Sequence, residues 1–304
     1  MFDEFDAALV DVGDTNIFVR RSGAGPGLLL LHGFPQTHLM WRHVAPLLAR
    51  DFRVVCADLR GYGASGKPTS SPDHAPYAKR ALALDMRRLM EAQGFPRFSV
   101  VGHDRGGRVA YRLALDHPDS VERLALLDVI PTSEAFDRAD ARFALAFWPW
   151  SLLAQPEPLP ERLLLAAPDA VVEDALSGWG SDASTFPAEV RDAYVAALRD
   201  SETVHAVCEE YRAAATLDRA HDLADLARGR HIQSRVLVLW GAGGPLDTWY
   251  QAAGGPLGIW RRWAEDVRGR SIVGGHFFPE QNPTETAEQL RAFLRGGSDD
   301  GVPG

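Results

Sequence analysis

Several residue patterns that would tie this chain to metals, nucleic acid or membranes are missing. Its 304 residues include only two cysteines, Cys56 and Cys208, too few for a disulfide framework and outside any metal-ligand spacing. There is no basic run, and 41 acidic against 32 basic residues give a net charge of −9, which argues against nucleic acid and anionic membranes as partners. No apolar run reaches the ~18 residues of a membrane span, and the acidic start of the chain lacks the regions of a signal peptide. We expect a soluble cytoplasmic protein that uses neither a metal nor another cofactor.

Short apolar runs alternate with amphipathic segments along the first 130 residues, a pattern typical of a parallel sheet with helices on both faces. Strands are predicted at 14–20, 28–31, 53–57, 98–101, 123–128, 235–240 and 271–273. Helices are predicted at 41–50, 77–94, 259–267 and 284–294. The prediction is an α/β core of residues 1–130 and 231–295, an inserted helical cap at 131–230, and a disordered tail at 296–304.

The segment Phe98–Arg108 combines a buried strand, a glycine-rich turn and the start of a helix. This is the context of a nucleophile elbow, in which the nucleophile is exposed above the sheet. Between Gly102 and Gly106 stands Asp104 rather than Ser, which argues against a serine-type esterase. A carboxylate that displaces a halide or opens an epoxide forms an alkyl ester, whereas attack on an acyl carbon would give an anhydride. The alternative is that Asp104 only caps the helix.

Two further residues stand where such a nucleophile needs partners. Asp128 ends a predicted strand, and His276 lies in the loop after the last one. A nucleophile followed by an acid and a late His is the order of the α/β-hydrolase triad, so His276 is predicted to activate water while Asp128 accepts its Nδ1–H. Asp247, in the loop after the next strand, is a second candidate for the acid. The backbone N–H groups of Phe34 and Arg105 are predicted to hold the oxyanion.

Four segments carry the most specific motifs of the chain: His32–Gln36, Gly102–Arg108, Leu127–Asp128 and Gly275–Phe277. Together they resemble the haloacetate dehalogenases, including the fluoroacetate dehalogenases, of the α/β-hydrolase superfamily, and the epoxide hydrolases are close relatives. The resemblance extends over residues 15–294. It implies an α/β-hydrolase fold with Asp104 as the nucleophile, His276 as the base and Asp128 as the acid.

The resemblance also implies a small anionic substrate, a 2-haloacid. Arg105 and Arg108 match the two arginines that bind the substrate carboxylate in that family, and arginine offers planar, bidentate recognition of carboxylates. The implied reaction is hydrolysis of a haloacetate to glycolate and halide through an ester on Asp104. On its own, Arg108 could equally form an ion pair on its helix.

The halide pocket of the family departs from its usual form in this sequence. Trp150 and Tyr211 match two of the halide donors, but Pro149 stands at the position of the third, a His. A missing donor matters most for fluoride, the poorest leaving group. We therefore expect a preference for chloroacetate or bromoacetate over fluoroacetate.

Two other functions stay open at this point. An epoxide hydrolase would use the same Asp-His-Asp set, with Tyr211 and Tyr194 as candidates to protonate the epoxide oxygen, but it has no need of the two arginines. A hydrolase-like binding protein without turnover would have no need of an intact triad. The sequence also leaves open whether the chain forms a homodimer.

Overall fold

The computed structural model of the chain describes residues 2 and 4–296, and within them eight strands form one sheet. The strands are β1 (Asp6–Asp11), β2 (Asn16–Ser22), β3 (Gly27–Leu31), β4 (Arg53–Ala57), β5 (Phe98–His103), β6 (Val121–Leu127), β7 (Arg235–Gly241) and β8 (Val267–Ile272). Their order is β1-β2-β4-β3-β5-β6-β7-β8. The pairings of β1 with β2 and of β2 with β4 are antiparallel, and all others are parallel. The predicted α/β fold with a mostly parallel sheet is confirmed.

The helices of the described residues fall into three groups. The first group is α1 (Ala45–Leu48), α2 (Lys79–Ala92) and α3 (Asp104–Asp116). Between β6 and β7 lie α4 (Thr132–Asp137), α5 (Ala141–Ala146), α6 (Trp148–Leu152), α7 (Leu159–Ala166), α8 (Pro168–Gly178), α9 (Ala188–Ala197), α10 (Ser201–Ala213) and α11 (Arg219–Ala227). After β7 come α12 (Pro245–Trp249), α13 (Gly255–Trp260), α14 (Phe278–Gln281) and α15 (Pro283–Leu294). Short 3₁₀ turns lie at His38–Trp41, Ala75–Tyr77, Pro118–Ser120, Ala183–Thr185 and Gln251–Ala253, and a π-helical turn at Ala214–Asp218 joins α10 to α11.

The central strands are apolar along their whole length because helices cover both faces of the sheet. Along β3, Leu29 and Leu31 pack into one hydrophobic core, while Leu28 and Leu30 pack into the other. The first core is covered by α2 and α3, and the second by α1 and α15. The alternation of side chains along a strand thus fixes which residues meet which helices.

In the segment predicted as a helical cap, 131–230, the regular elements of the described residues are helices and helical turns, and no strand lies between β6 and β7 in that part of the chain. Its helices α10 and α11 reach back to the core, where Glu210 and Asp222 form buried contacts with Arg105 and Tyr111. The insertion therefore packs directly on the helix that begins at Asp104.

Several predicted boundaries are wrong. The helix expected over 41–50 is only a 3₁₀ turn followed by the four-residue α1. The helix expected over 259–267 ends at Trp260, because Val267 already pairs with Val236 at the start of β8. The strand β1 was not predicted, since its side chains are mostly exposed. Of the tail predicted to be disordered, residues 297–304 lie outside the described residues.

Candidate active site

Asp104 lies at the tight turn where β5 meets α3, and its φ is +46°. A non-glycine residue in this region of backbone space is strained, and such residues cluster at functional sites. Glycines permit the close approach of the chain on either side. A Cβ at Gly102 would lie 2.4 Å from the carbonyl oxygen of Gly106, and a Cβ at Gly106 would lie 2.5 Å from that of His32. The glycines at positions 102 and 106 are therefore required by this turn.

The carboxylate of Asp104 is directed to the loop after β3. The N–H of Phe34 donates to Oδ2 of Asp104 at 3.0 Å. Gly33 allows this contact, because a Cβ there would lie 2.6 Å from the same oxygen. The N–H of Arg105 belongs to the first turn of α3, where N–H groups lack an intrahelical partner. Burial alone would raise the pKa of Asp104, but the charges of His276 and Arg105 lower it, so the carboxylate is ionised at neutral pH.

His276 meets Asp128 from the loop after β8. Its Nδ1 lies 2.6 Å from Oδ2 of Asp128, whose other oxygen accepts the N–H of Gly241 at 3.0 Å. Burial alone would lower the pKa of His276, but the hydrogen bond and charge of Asp128 raise it. Asp247, the other candidate acid, instead accepts the indole N–H of Trp240 at 2.8 Å. The structure thus pairs His276 with Asp128.

Most of the predicted site side chains line one cavity at the carboxyl ends of the parallel strands, where ligands bind in open α/β sheets. The predicted residues in its lining are Asp104, Arg108, Asp128, Trp150, Tyr211 and His276, and Pro149 is also present. Much of the remaining wall is apolar, formed by residues such as Ile130, Phe143 and Leu246. A carboxylate, an imidazole paired with a second carboxylate, and a guanidinium therefore share a largely apolar cavity.

Arg108 presents a partly free guanidinium to this cavity. Its Nη1 donates to the carbonyl oxygen of Ile130 at 2.8 Å and to Oγ1 of Thr132 at 3.3 Å. The ring of Trp150 lies 4.3 Å from the guanidinium carbon. Nη2 makes no hydrogen bond to another described residue, and Nε is buried without a partner among them. One of the three nitrogens is anchored, and the other two have no protein partner in the described part of the chain.

Arg105 is placed differently from its predicted role. It is fully buried and is not among the described residues that line the cavity. Its Nε donates to both carboxylate oxygens of Glu210 at 3.0 Å, and Nη2 donates to the carbonyl oxygen of Glu210 at 3.3 Å. Nη1 is buried without a partner in the described part of the chain. Only this nitrogen is left for a substrate carboxylate.

The two predicted halide donors, Trp150 and Tyr211, are held by aromatic packing. The ring of Trp150 lies 4.9 Å from that of Phe136, and the ring of Tyr211 lies 5.9 Å from that of Phe34. No hydrogen bond joins the indole N–H of Trp150 or the hydroxyl of Tyr211 to another described residue, and both side chains line the cavity. Burial raises the pKa of Tyr211, so its hydroxyl stays protonated and able to donate. Pro149 reaches the same cavity with no donor of its own.

Comparison with known proteins shows the family to which the chain belongs. The profile of the alpha/beta hydrolase fold family matches residues 26–282. The chain belongs to the α/β hydrolase fold family. This α/β hydrolase is 48% identical over 295 residues to a fluoroacetate dehalogenase of Burkholderia sp, a match that covers 97% of the chain and 95% of that relative. A soluble epoxide hydrolase of Corynebacterium sp. (strain C12) is 31% identical over 290 residues, with coverage of 90% and 93%. A solved structure from Nostoc sp PCC 7120, described as an alpha/beta hydrolase, superposes with a TM-score of 0.93 at 45% identity, over 97% of this chain and 100% of that one. The predicted resemblance to haloacetate dehalogenases is confirmed.

Sequence reasoning missed two residues of this α/β hydrolase that contact the site. Tyr250 lines the cavity from the segment after α12, and no motif surrounds it. Glu210 directly precedes Tyr211 and binds Arg105, a contact between distant segments that no local pattern indicates. Tyr194, a predicted candidate for epoxide protonation, is fully buried and is not among the described residues that line the cavity.

Metal-binding clusters, membrane-spanning helices and disulfides are all absent from the described residues. No group of three or more His, Cys, Asp or Glu side chains that could hold a metal ion occurs among them. None of their helices is long and apolar enough to cross a membrane. Cys56 and Cys208 are free and buried, and burial raises the pKa of both thiols.

Proposed function

We propose that this α/β hydrolase hydrolyses small 2-haloacids, with Asp104 as the nucleophile. The observation that carries the proposal is the arrangement of three groups around one cavity: the ionised Asp104, the His276–Asp128 pair and the guanidinium of Arg108, which is anchored through Nη1 alone. The similarity to the fluoroacetate dehalogenase of Burkholderia sp supports it. The helical insertion 131–230 acts as the cap that closes the cavity over the substrate.

In the first step, a carboxylate oxygen of Asp104 attacks C2 of the haloacid and the carbon–halogen bond breaks. The products are halide ion and a carboxymethyl ester of Asp104, in which glycolate is bound through its hydroxyl oxygen. Arg108 binds the carboxylate of the substrate and offsets its repulsion from Asp104. The departing halide accepts the indole N–H of Trp150 and the hydroxyl of Tyr211, which have no partner among the described residues.

In the second step, Nε2 of His276 takes a proton from water as that water attacks the ester carbonyl carbon. Asp128 stabilises the imidazolium that forms. The carbonyl oxygen becomes an oxyanion, which the backbone N–H groups of Phe34 and Arg105 stabilise. Collapse of this intermediate, with the proton returned by His276, releases glycolate and regenerates Asp104.

Chloride and bromide are the preferred leaving groups under this proposal. Fluoride concentrates charge and depends most on donors aimed at it. Pro149 supplies none, which leaves Trp150 and Tyr211 as the two donors of the proposed halide site. The enzyme therefore turns over chloroacetate and bromoacetate faster than fluoroacetate.

Epoxide hydrolysis is the second candidate, and one observation favours it. Tyr250 lines the cavity as well as Tyr211, so two phenols are available to protonate an epoxide oxygen. The similarity to the Corynebacterium epoxide hydrolase fits this reading. Arg108 disfavours it, because a neutral epoxide has no use for a partly free guanidinium in the cavity.

The first experiment is a halide-release assay on chloroacetate, bromoacetate and fluoroacetate, with an epoxide panel in parallel. We expect chloride and bromide release that disappears in Asp104→Asn, with folding checked by circular dichroism. Diol formation without any halide release would establish the epoxide hydrolase instead.

A second experiment tests the ester. His276→Ala should release one equivalent of halide and then stop, with one carboxymethyl group added to the mass of the protein. Mass mapping should locate that group on Asp104. Steady halide release from a protein of unchanged mass would rule out the covalent scheme.

A further inference from the structure

Glu210 does not line the cavity, but both of its carboxylate oxygens are bound by other side chains. It is fully buried, and it lies on α10, directly before Tyr211. One carboxylate oxygen accepts the hydroxyl of Tyr62 at 2.9 Å and the other pairs with Lys79, while both accept Nε of Arg105. Every direction of this carboxylate is used, so it cannot itself bind substrate.

The contacts with Glu210 determine how Arg105 is oriented. Nε and Nη2 are both bonded to Glu210, one to its carboxylate and the other to its carbonyl oxygen. The ring of Tyr211 lies 3.9 Å from the guanidinium carbon, and that of Trp150 lies 5.6 Å away. Nη1 is buried with no partner in the described residues. A buried donor without a hydrogen bond destabilises the folded protein unless a ligand accepts that bond. The guanidinium that carries the unused nitrogen is thus fixed beside two side chains that line the cavity.

The charges around Glu210 are balanced. Arg105 and Lys79 carry positive charge, and Glu210 and Asp218 carry negative charge, with 3.5 Å between Lys79 Nζ and Asp218 Oδ2. Burial alone would raise the pKa of Glu210, but Arg105 and Lys79 lower it to about 2. The carboxylate is therefore ionised over the working range of pH, and the guanidinium is held by a full ion pair.

We infer that Glu210 is a positioning residue that directs Nη1 of Arg105 to the carboxylate of the substrate. Because Glu210 directly precedes Tyr211, it couples this contact to the position of the Tyr211 side chain. The inference rests on the proposed haloacid specificity. Arg108 and Arg105 then each contribute one nitrogen to the substrate carboxylate. A substitution of Glu210 therefore weakens the binding of the haloacid more than it slows the attack of Asp104 on C2.

The test compares Asp104→Asn with the double variant Asp104→Asn/Glu210→Gln. Neither forms the ester, so calorimetry measures the dissociation constant of chloroacetate without turnover. Loss of a charge-assisted contact predicts a rise of about tenfold to a hundredfold. In the otherwise wild-type enzyme, Glu210→Gln should raise KM for chloroacetate by a similar factor and change kcat by less than about threefold, whereas partial unfolding would lower kcat and leave KM unchanged.

Glu209→Gln is the matched control. Glu209 is the adjacent buried glutamate, and it pairs with Arg212 at 2.8 Å and His74 at 2.9 Å, away from the cavity. This variant should leave the dissociation constant and KM unchanged. If Glu210→Gln does not fold, Lys79→Met/Glu210→Gln removes one charge of each sign and is measured in its place.

An unchanged dissociation constant in a folded Glu210 variant, or an equal rise in Glu209→Gln, would overturn the inference. Failure of the proposed function has a different signature. In that case the wild-type protein releases no halide from any of the three haloacetates, whatever residue stands at 210.

Discussion

Pro149→His is the most informative single substitution in the cavity. Pro149 lies in the first turn of α6, where a backbone N–H has no intrahelical partner, so a residue with an N–H fits there. Its carbonyl oxygen already accepts the N–H of Leu153 at 2.9 Å, and this bond does not depend on the side chain. The substitution gives up the rigidity of proline at a cost of up to about 1 kcal/mol in the free energy of unfolding. It adds an imidazole N–H beside Trp150.

The expected gain is specific to fluoride. A hydrogen bond to a charged group contributes about 1.5–3 kcal/mol, which corresponds to a rise of roughly tenfold to a hundredfold in the rate of the first step. The assay is kcat for fluoride release by an ion-selective electrode, divided by kcat for chloride release. Pro149→Phe supplies a ring of similar shape without a donor and should leave this ratio unchanged. A folded Pro149→His with an unchanged ratio, or an equal gain in Pro149→Phe, would refute the assignment of Pro149 to the halide side.

Three further predictions concern the other groups around the cavity. Asp128→Asn should slow ester hydrolysis by up to about 10⁴-fold. Asp247 bonds to Trp240 instead, so Asp247→Asn should change the rate of ester hydrolysis by less than about threefold. Stopped-flow measurement of glycolate release compares the two variants. Because the pKa of His276 is raised above 6.5 and the base must be neutral, single-turnover ester hydrolysis should fall as pH drops through a value above 6.5, and an acid limb below 6 would contradict this. Tyr250→Phe should raise KM for chloroacetate about twofold to tenfold, because its side chain lines the cavity; Tyr194→Phe, outside the lining, should leave KM unchanged.

The strands that the sequence predicted well are those buried on both faces. The apolar runs of β3, β4 and β7 are continuous, and their predicted limits agree with the structure to within one residue. The edge strands were harder to predict. β1 is mostly exposed, and β8 reads Val-Arg-Gly-Arg-Ser-Ile, with an arginine on either side of its glycine. Each pairs with one neighbour only, so hydrogen bonding to that neighbour defines them more than any apolar pattern.

The site residues likewise divide into those that the sequence predicts and those that it does not. Asp104, Asp128 and His276 follow from the positions at which strands end, because the carboxyl ends of parallel strands meet at one edge of the sheet. The surroundings of Arg105 could not be predicted this way. Its partner Glu210 is 105 residues away on an inserted helix, and local pattern carries no information about such a contact.

The hydrogen bond from Phe34 to Asp104 has a consequence for the fate of individual oxygen atoms. This N–H already holds Oδ2 at 3.0 Å, and it is the same group that stabilises the oxyanion in the proposed second step. If Oδ2 stays there throughout, the attacking oxygen is always Oδ1, which leaves with glycolate and is replaced from water. In ¹⁸O-labelled water, the first glycolate from each molecule then carries an unlabelled hydroxyl, and every later one carries the label. The nucleophile would exchange one of its oxygens at each turnover and keep the other through the lifetime of the enzyme.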